Sequence, residues 1–108
     1  GLWTAGGGFA LTRTVAGESE LLTIAVAPQM RRRGIARRLV QDWLEAIRDQ
    51  STCAFLEVAA DNVAARHLYD SLGFAIVGTR PRYYARRDAP PANALVMRLE
   101  LDSPDRRE

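Results

Sequence analysis

The sequence predicts a mixed α/β domain of the α+β type, with elements in the order β-β-α-β-α-β-β and a single mixed sheet. Two apolar stripes have helical spacing, and the other apolar runs have the length of strands. Turn residues separate these segments, and no repeat or internal linker interrupts them. The 108 residues predict one domain over 1–108, with flexible segments at 1–7 and 102–108.

The first two strands are predicted to form an antiparallel hairpin. Apolar and polar side chains alternate over residues 9–15, and residues 16–19 supply a turn. Residues 20–27 are apolar almost throughout, which is typical of a central strand covered on both faces. Pro28 ends this strand because it has no amide to donate to a ladder.

Two helices are predicted. The first covers residues 35–49, because its apolar residues fall at positions 35, 36, 39, 40, 43, 44 and 47. The second begins after Asp61 or Asn62, either of which can cap a helix, and ends at Gly73. The remaining strands are expected at 53–59, 74–79 and 94–101, with an irregular segment before Pro91 and a charged tail from Asp102.

The composition excludes several classes of function. Fifteen Lys and Arg against thirteen Asp and Glu leave a net charge of +2, which is too small to indicate nucleic-acid binding. The single cysteine, Cys53, lies in an apolar run and is expected to be a buried, inert thiol. With His67 as the single histidine, no metal site is predicted. Without a signal peptide or an apolar run of membrane-spanning length, a cytoplasmic protein with no membrane partner is expected.

The segment at residues 28–36 predicts an anion site. An apolar strand ends there, a turn containing Arg31, Gly34 and Ala36 follows, and a helix begins at once. Such a turn directs several backbone N–H groups at one spot, and the helix dipole favours an anion there. A pyrophosphate group is the kind of ligand that this arrangement binds.

The same turn resembles part of a known family. Residues 20–40 resemble the acetyl-CoA signature of the GNAT N-acetyltransferase superfamily, whose Q/R-x-x-G-x-G/A turn is matched by Arg31, Gly34 and Ala36. Residues 56–74 resemble a second family segment, N-x-x-A-x-x-L-Y-x-x-x-G-F, through the residues Asn62, Ala65, Leu68, Tyr69, Gly73 and Phe74.

A third match narrows the resemblance to the N-α-acetyltransferases. The triplet Arg82-Tyr83-Tyr84, followed by the strand at 94–101, is similar to that subgroup. The resemblance covers roughly residues 8–101 and implies a mostly antiparallel GNAT-type sheet flanked by helices, with acetyl-CoA as co-substrate. It also implies a strand, two helices and a further strand before residue 9, which this sequence lacks, so an incomplete acceptor site and exposed apolar surface are expected.

The resemblance implies where acetyl-CoA would bind. Its pyrophosphate would lie on the turn amides, and the Val26 amide would donate to the thioester oxygen. The side chains of Arg32 and Arg33 would either attract the phosphates or be solvated, and Asn62 would cap its helix, contact the pantetheine arm, or do both. The implied cofactor-binding residues are Ile24, Ala25, Val26, Arg31, Arg32, Arg33, Gly34, Ile35, Ala36, Asn62 and Tyr69.

Glu57 and Tyr69 match the catalytic residues of the family. Glu57 is a carboxylate in an apolar strand, where ionised groups are rare without a partner or a task. The resemblance makes it a general base, and the alternative is a carboxylate paired with an arginine. Tyr69 matches the general acid that protonates the departing thiolate, and its alternative is a core tyrosine.

The resemblance implies a protein N-terminal α-amine as acceptor, such as the N-terminal alanine of a small-subunit ribosomal protein. Tyr83 and Tyr84 would flank the acceptor peptide, although they could also only pack their loop. Asn93 departs from the acidic residue usual in the ribosomal-protein enzymes. The alternatives are acetylation of a small-molecule or lysine amine, and a non-catalytic fragment that binds acyl-CoA.

Overall fold

The computed structural model describes residues 1–101, so the predicted charged tail lies outside the described part. The predicted mixed α/β class with mostly antiparallel strands is confirmed. By contacts the chain divides into two compact units, Gly1–Ala54 with residues 100 and 101, and Phe55–Leu99. The elements in chain order are β1 (Leu2–Ala5), β2 (Gly8–Val15), β3 (Glu18–Val26), a 3-10 turn (Pro28–Met30), α1 (Ile35–Ile47), β4 (Cys53–Ala59), α2 (Val63–Ser71), β5 (Ala75–Tyr84) and β6 (Ala92–Glu100).

The first unit is built on an antiparallel meander of β1, β2 and β3. The predicted hairpin between β2 and β3 is confirmed, and its two turn residues, Ala16 and Gly17, have φ angles of 51° and 80°. Two consecutive residues with positive φ are the signature of the tight hairpin turn whose twist matches that of the flanking strands. The turn therefore fixes the register of this pair.

Strand β1 corrects the expectation of a flexible segment at residues 1–7, and it adds a strand to the predicted order. It pairs with β2 along its whole length, and the Trp3 Nε1–H group donates to Thr12 Oγ1 at 3.1 Å. A strand of four residues is too short for its alternation to be recognised in the sequence. The glycines that follow it supply the turn into β2 rather than a loose terminus.

Strand β3 is not covered on both faces, contrary to the prediction for residues 20–27. Leu21 is buried, whereas Leu22 is 49% exposed. The pairing with β2 shifts register between Leu11 and Thr12, and such a bulge re-aims the side chains on either side of it. Phe9 and Leu11 of β2 are each 39% exposed, so β2 also presents apolar side chains at the surface of this unit.

Helix α1 buries the predicted apolar stripe. Its buried residues are Leu39, Val40, Trp43, Leu44 and Ile47. Trp43 is fully buried, and its indole N–H donates to Ser19 Oγ at 2.9 Å. Cys53 is also fully buried, as the apolar run predicted.

In the second unit, β6 lies between β4 and β5, and α2 ends in a Schellman motif. Gly73, with φ of 100°, donates its amide to the Asp70 carbonyl at 3.0 Å, and the Phe74 amide donates to the Tyr69 carbonyl at 3.0 Å. The rings of Tyr69 and Phe74 meet edge to face, 5.9 Å apart. The motif therefore holds Tyr69 in the last turn of α2.

Strand β5 corrects the prediction of an irregular segment after residue 79. It continues to Tyr84 through Pro81, and its pairing with β6 shifts register between Arg80 and Tyr84. Arg82 has φ of 55°, and its amide donates to the Asn93 side-chain oxygen at 2.9 Å. A proline is tolerated at such an irregularity because no ladder bond is needed from it there.

Neither of the helices within residues 1–101 has the length and apolar character needed to cross a membrane.

Candidate functional site

The predicted anion turn lies in the first unit, between the end of β3 and the start of α1. Gly34 is the N-cap residue of α1 and has the left-handed φ of 76°. A Cβ atom at this position would meet no atom within 4 Å, so the space above the turn is open. The backbone can thus be approached closely from outside, as a phosphate site requires.

The first turn of α1 leaves its amides available to a ligand. No side chain caps the helix, and the first turn contains no acidic residue. The first helical hydrogen bond runs from the Arg38 amide to the Gly34 carbonyl at 3.0 Å, so the amides of Ile35 and Ala36 have no acceptor within the helix. The helix dipole adds partial positive charge at this end.

The arginines around the turn differ in their contacts. Arg31 donates from Nε to the Val26 carbonyl at 3.2 Å. Arg38 forms an ion pair with Asp42 at 3.1 Å along the helix surface. Arg32 and Arg33 are exposed, which fits solvated side chains as well as attraction of a phosphate at short range.

At the end of β3, alternate backbone amides point away from the neighbouring strand β2. The Ala27 amide donates to the Gly7 carbonyl at 2.8 Å, so the adjoining pair, Val26 opposite Gly8, is a non-hydrogen-bonded pair of the antiparallel ladder. The amide and carbonyl of Val26 therefore point away from β2, as do those of Ile24 two residues earlier. Ala25, between them, has its backbone groups in the ladder with β2.

Glu57 lies in β4 of the second unit, with its side chain 25% exposed. Arg80 donates from one terminal nitrogen to Glu57 Oε1 at 2.8 Å. The arginine-paired alternative for this carboxylate is therefore realised. A base that is anchored through one oxygen can still accept a proton on the other, so the two predictions for Glu57 are compatible.

Tyr69 is 4% exposed, in the last turn of α2. Burial, and secondly the neighbouring Tyr84 hydroxyl, raises the pKa of Tyr69 to about 12. The hydroxyl is therefore protonated, and able to donate, throughout the neutral range.

Asn62 is the N-cap of α2. The Ala65 amide donates to its side-chain oxygen at 3.2 Å. Asp61, the other candidate for the cap, instead accepts from Arg86 at 2.7 Å. That hydrogen bond lowers the pKa of the Asp61 carboxyl.

Tyr83 and Tyr84 end β5 and lie edge to face, with ring centroids 5.2 Å apart. Tyr83 is 51% exposed, and the Arg80 guanidinium lies 4.0 Å above its ring. Burial is the largest cause of a raised pKa for Tyr84, followed by the negative charge of Glu57. Because Tyr84 interacts electrostatically with both Glu57 and Tyr69, the second unit brings these three candidates into one neighbourhood.

Two residues of this neighbourhood were not predicted as parts of a site. Arg80 belongs to an arginine-rich stretch, but its pairing with Glu57 depends on the register of β5, which the sequence does not reveal. Asn93 holds the irregularity of β5 through Arg82, and its carbonyl accepts from the Ala60 amide at 2.8 Å. Within residues 1–101 no cluster of histidine, cysteine and carboxylate side chains is suited to a metal ion.

Comparison with known proteins shows the family to which the chain belongs. The acetyltransferase (GNAT) family profile matches residues 6–74. The [ribosomal protein bS18]-alanine N-acetyltransferase of Escherichia coli K12 is 36% identical over 94 residues, covering 86% of this chain and 63% of that enzyme. The N-alpha-acetyltransferase RimI of Mycobacterium tuberculosis is 43% identical over 94 residues, covering 87% of this chain and 56% of that protein.

A solved structure gives the same result for the fold. The crystal structure of the ribosomal-protein-S18-alanine N-acetyltransferase from Escherichia coli superposes with a TM-score of 0.85 at 35% identity, covering 89% of this chain and 62% of that one. The chain thus spans less than two thirds of the length of these relatives. The matched motifs, the matched profile and the shared fold together establish that this chain belongs to the GNAT family of acetyltransferases.

Proposed function

We propose that the chain is an acetyl-CoA-dependent N-acetyltransferase that acts on a protein N-terminal α-amine by direct transfer within a ternary complex. The observation that carries the proposal is the uncapped start of α1 at Gly34, open above and free of acidic residues in its first turn. The named relatives that modify N-terminal amines support the choice of acceptor. When bound, acetyl-CoA supplies the thioester-activated acetyl group.

The turn at the start of α1 would hold the pyrophosphate of the co-substrate. The amides of Ile35 and Ala36 donate to it, and the helix dipole strengthens both bonds. The side chain of Arg31, fixed on the Val26 carbonyl, adds positive charge beside the turn. Because main-chain donors would do most of the binding, Gly34 is expected to matter more to the affinity for the co-substrate than any one arginine.

The end of β3 would hold the pantetheine arm. The Val26 amide, at the last residue of β3, points away from β2, so it is the donor that this end of the strand would offer to a peptide-like arm. The Val26 amide would donate to the thioester oxygen as negative charge develops there. A preorganised donor of this kind lowers a barrier by about 3 kcal/mol.

Glu57 would act as the general base for the acceptor amine. An amine is protonated at neutral pH and must lose a proton before its lone pair can attack. Glu57 is partly exposed and fixed in β4, so it can receive that proton directly or through one water molecule.

Tyr69 would donate a hydrogen bond to the departing sulfur. Its pKa of about 12 lies well above that of an ordinary thiol, about 8.5, so complete proton transfer to a thiolate would be uphill by about 5 kcal/mol. A hydrogen bond to the developing thiolate has no such cost and is worth about 1.5–3 kcal/mol. Tyr69 is thus better suited to stabilising the leaving group than to protonating it outright.

Tyr83 and Tyr84 would line the acceptor side. The exposed ring of Tyr83 offers an aromatic surface against which a peptide can pack, beside the carboxylate that receives the amine proton. The N-terminal alanine of a ribosomal protein is the proposed acceptor, because it is the acceptor named for the Escherichia coli relative.

A panel of acceptors tests the proposal. The 108-residue chain is incubated with acetyl-CoA and an alanine-initiated peptide, the same peptide with its N-terminus blocked and one internal lysine, and a small primary amine. We expect acetylation of the free N-terminus alone, detected by mass spectrometry. Acetylation of the lysine or the small amine alone would favour the alternative acceptor classes. Binding of CoA in calorimetry with no product from any acceptor would favour a non-catalytic acyl-CoA-binding protein.

A further inference from the structure

Arg80 makes two contacts that hold its guanidinium in one place. One terminal nitrogen donates to Glu57 Oε1 at 2.8 Å, and the guanidinium lies 4.0 Å above the Tyr83 ring. The hydrogen bond to Glu57 is also the largest cause of a raised pKa for Arg80. The side chain is 52% exposed, so these two contacts, rather than burial in a core, determine its position.

The irregularity of β5 creates this arrangement. Arg80 lies opposite Ala94 in β6 and is the last residue before the register shift. The shift brings Tyr83 back over Arg80 instead of carrying it along the strand. Asn93 holds the shifted backbone by accepting the Arg82 amide at 2.9 Å.

The two oxygens of Glu57 are not equivalent in this arrangement. Oε1 accepts from Arg80, whereas the described residues make no hydrogen bond to Oε2. An anchored Oε1 restricts rotation of the carboxylate, which leaves the other oxygen at a fixed place. General bases depend on such orientation, since small displacements of a reacting group lower rates strongly.

We propose that Arg80 is a positioning residue for the base, holding Glu57 through Oε1 so that Oε2 receives the proton of the acceptor's ammonium group. This inference rests on the proposed function. In the step, one N–H bond of the ammonium breaks, its electron pair stays on nitrogen as the nucleophilic lone pair, and the proton binds to Oε2. Tyr83 keeps the guanidinium in place while the charge on Glu57 is neutralised.

A purely structural ion pair would behave differently. Exposed ion pairs contribute little to stability, so losing Arg80 would change the unfolding free energy little in either case. A positioning role instead lowers kcat while leaving the affinity for acetyl-CoA unchanged. A variant that loses kcat but keeps the wild-type stability therefore indicates the positioning role rather than a purely structural one.

The chain contains a closely matched control pair. In the first unit, Arg13 Nη2 lies 3.0 Å from Glu20 Oε1, and the two side chains are 63% and 24% exposed. The corresponding values for Arg80 Nη1 and Glu57 Oε1 are 2.8 Å, 52% and 25%. Arg13→Met therefore removes the same charge and the same kind of ion pair away from Glu57.

Steady-state kinetics of three variants of the 108-residue chain test the proposal, with acetyl-CoA and an alanine-initiated peptide. Arg80→Met is expected to lower kcat by about 10- to 100-fold, and Arg80→Lys to restore part of the loss because an ammonium can also donate to Oε1. Arg13→Met is expected to retain the wild-type kcat. In calorimetry the CoA affinity of all three should be that of the wild type.

Outcomes against this inference differ from outcomes against the proposed function. An inactive wild-type chain contradicts the proposed function and the positioning role with it. An active wild type with unchanged kcat in Arg80→Met contradicts the positioning role alone. NMR of the Arg80 guanidinium tests its hydrogen bond to Glu57 without turnover. Slowed rotation of the guanidinium in the wild type that is lost in Glu57→Gln would support the hydrogen bond. Identical guanidinium signals in the two proteins would contradict it.

Discussion

The properties of Tyr69 follow from its position in the chain. It is the third residue from the end of α2, Gly73 turns the backbone after it, and Phe74 packs against its ring. The spacing of Tyr69, Gly73 and Phe74 is thus that of a helix-ending motif. The same burial that places the ring raises the pKa of its hydroxyl to about 12.

Replacing this hydroxyl tests its role. Tyr69→Phe keeps the ring and its contact with Phe74 but removes the donor. Losing one hydrogen bond to a developing charge should lower kcat by about 10- to 100-fold, since each 1.36 kcal/mol is about tenfold. Stopped-flow or steady-state kinetics measure this, and CoA affinity by calorimetry should stay unchanged. An unchanged kcat in Tyr69→Phe would show that the Tyr69 hydroxyl takes no part in the reaction.

The pKa of Tyr69 also predicts a pH dependence of stability. The folded pKa of about 12 exceeds the ordinary value of 10.0, so between these values the folded chain retains a proton that the unfolded chain loses. The resulting stability is fully present below pH 10 and is lost as the pH rises towards 12. Over this range the wild type should lose about 2–3 kcal/mol more unfolding free energy than Tyr69→Phe, measured by denaturant titration. Equal losses would contradict the raised pKa.

At the scale of elements, the start of α1 combines a backbone conformation with an open surface. Gly34 and Gly17 have nearly the same positive φ, 76° and 80°, and a Cβ would meet nothing within 4 Å at either position. Only Gly34 precedes the uncapped amides of a helix. Substitutions at Gly17 therefore show the effect of backbone strain alone, and substitutions at Gly34 show the effect of strain together with any loss of ligand binding.

The variants Gly34→Val and Gly17→Val use this pair. Both force a β-branched residue into the left-handed region, which costs about 1–3 kcal/mol of stability. Calorimetric titration with CoA should show at least a tenfold loss of affinity for Gly34→Val and wild-type affinity for Gly17→Val. Equal CoA affinity in the two variants would mean that the pyrophosphate does not bind at this turn.

The stability of the whole molecule depends on buried polar contacts as well as apolar packing. Ser19 is fully buried and accepts both the Trp43 indole N–H and the Thr14 hydroxyl, each at 2.9 Å. Ser19→Ala is expected to lower the unfolding free energy by about 1–3 kcal/mol, because it removes a buried acceptor. Ser71→Ala, at an exposed helix position, should change it by less than about 0.5 kcal/mol. Denaturant unfolding checks both, and equal effects would show that the buried contact adds nothing.

Features set by neighbouring residues could be predicted from the sequence, and features set by register could not. The stripe of α1, the cap at Asn62 and the stop at Gly73 each depend on a few adjacent residues, and all three are observed. Strand β1 has only four residues, the exposure of Leu22 depends on the bulge between β2 and β3, and the anchoring of Glu57 depends on the register of a strand that is distant in sequence. A bulge changes side-chain direction without leaving a composition signal, so the sequence predicts an arginine as a possible partner of Glu57 but does not identify it as Arg80.

The central claim is that Glu57 serves as the base in acetylation of an N-terminal amine. The most direct measurement is the turnover of an alanine-initiated peptide with isotope-labelled acetyl-CoA, followed by mass spectrometry, for the wild type, Glu57→Gln and the exposed control Glu45→Gln. We predict labelled product at the peptide N-terminus with the wild type and Glu45→Gln, and a rate about 10²- to 10⁴-fold lower with Glu57→Gln. Equal rates for Glu57→Gln and the wild type would contradict the claim.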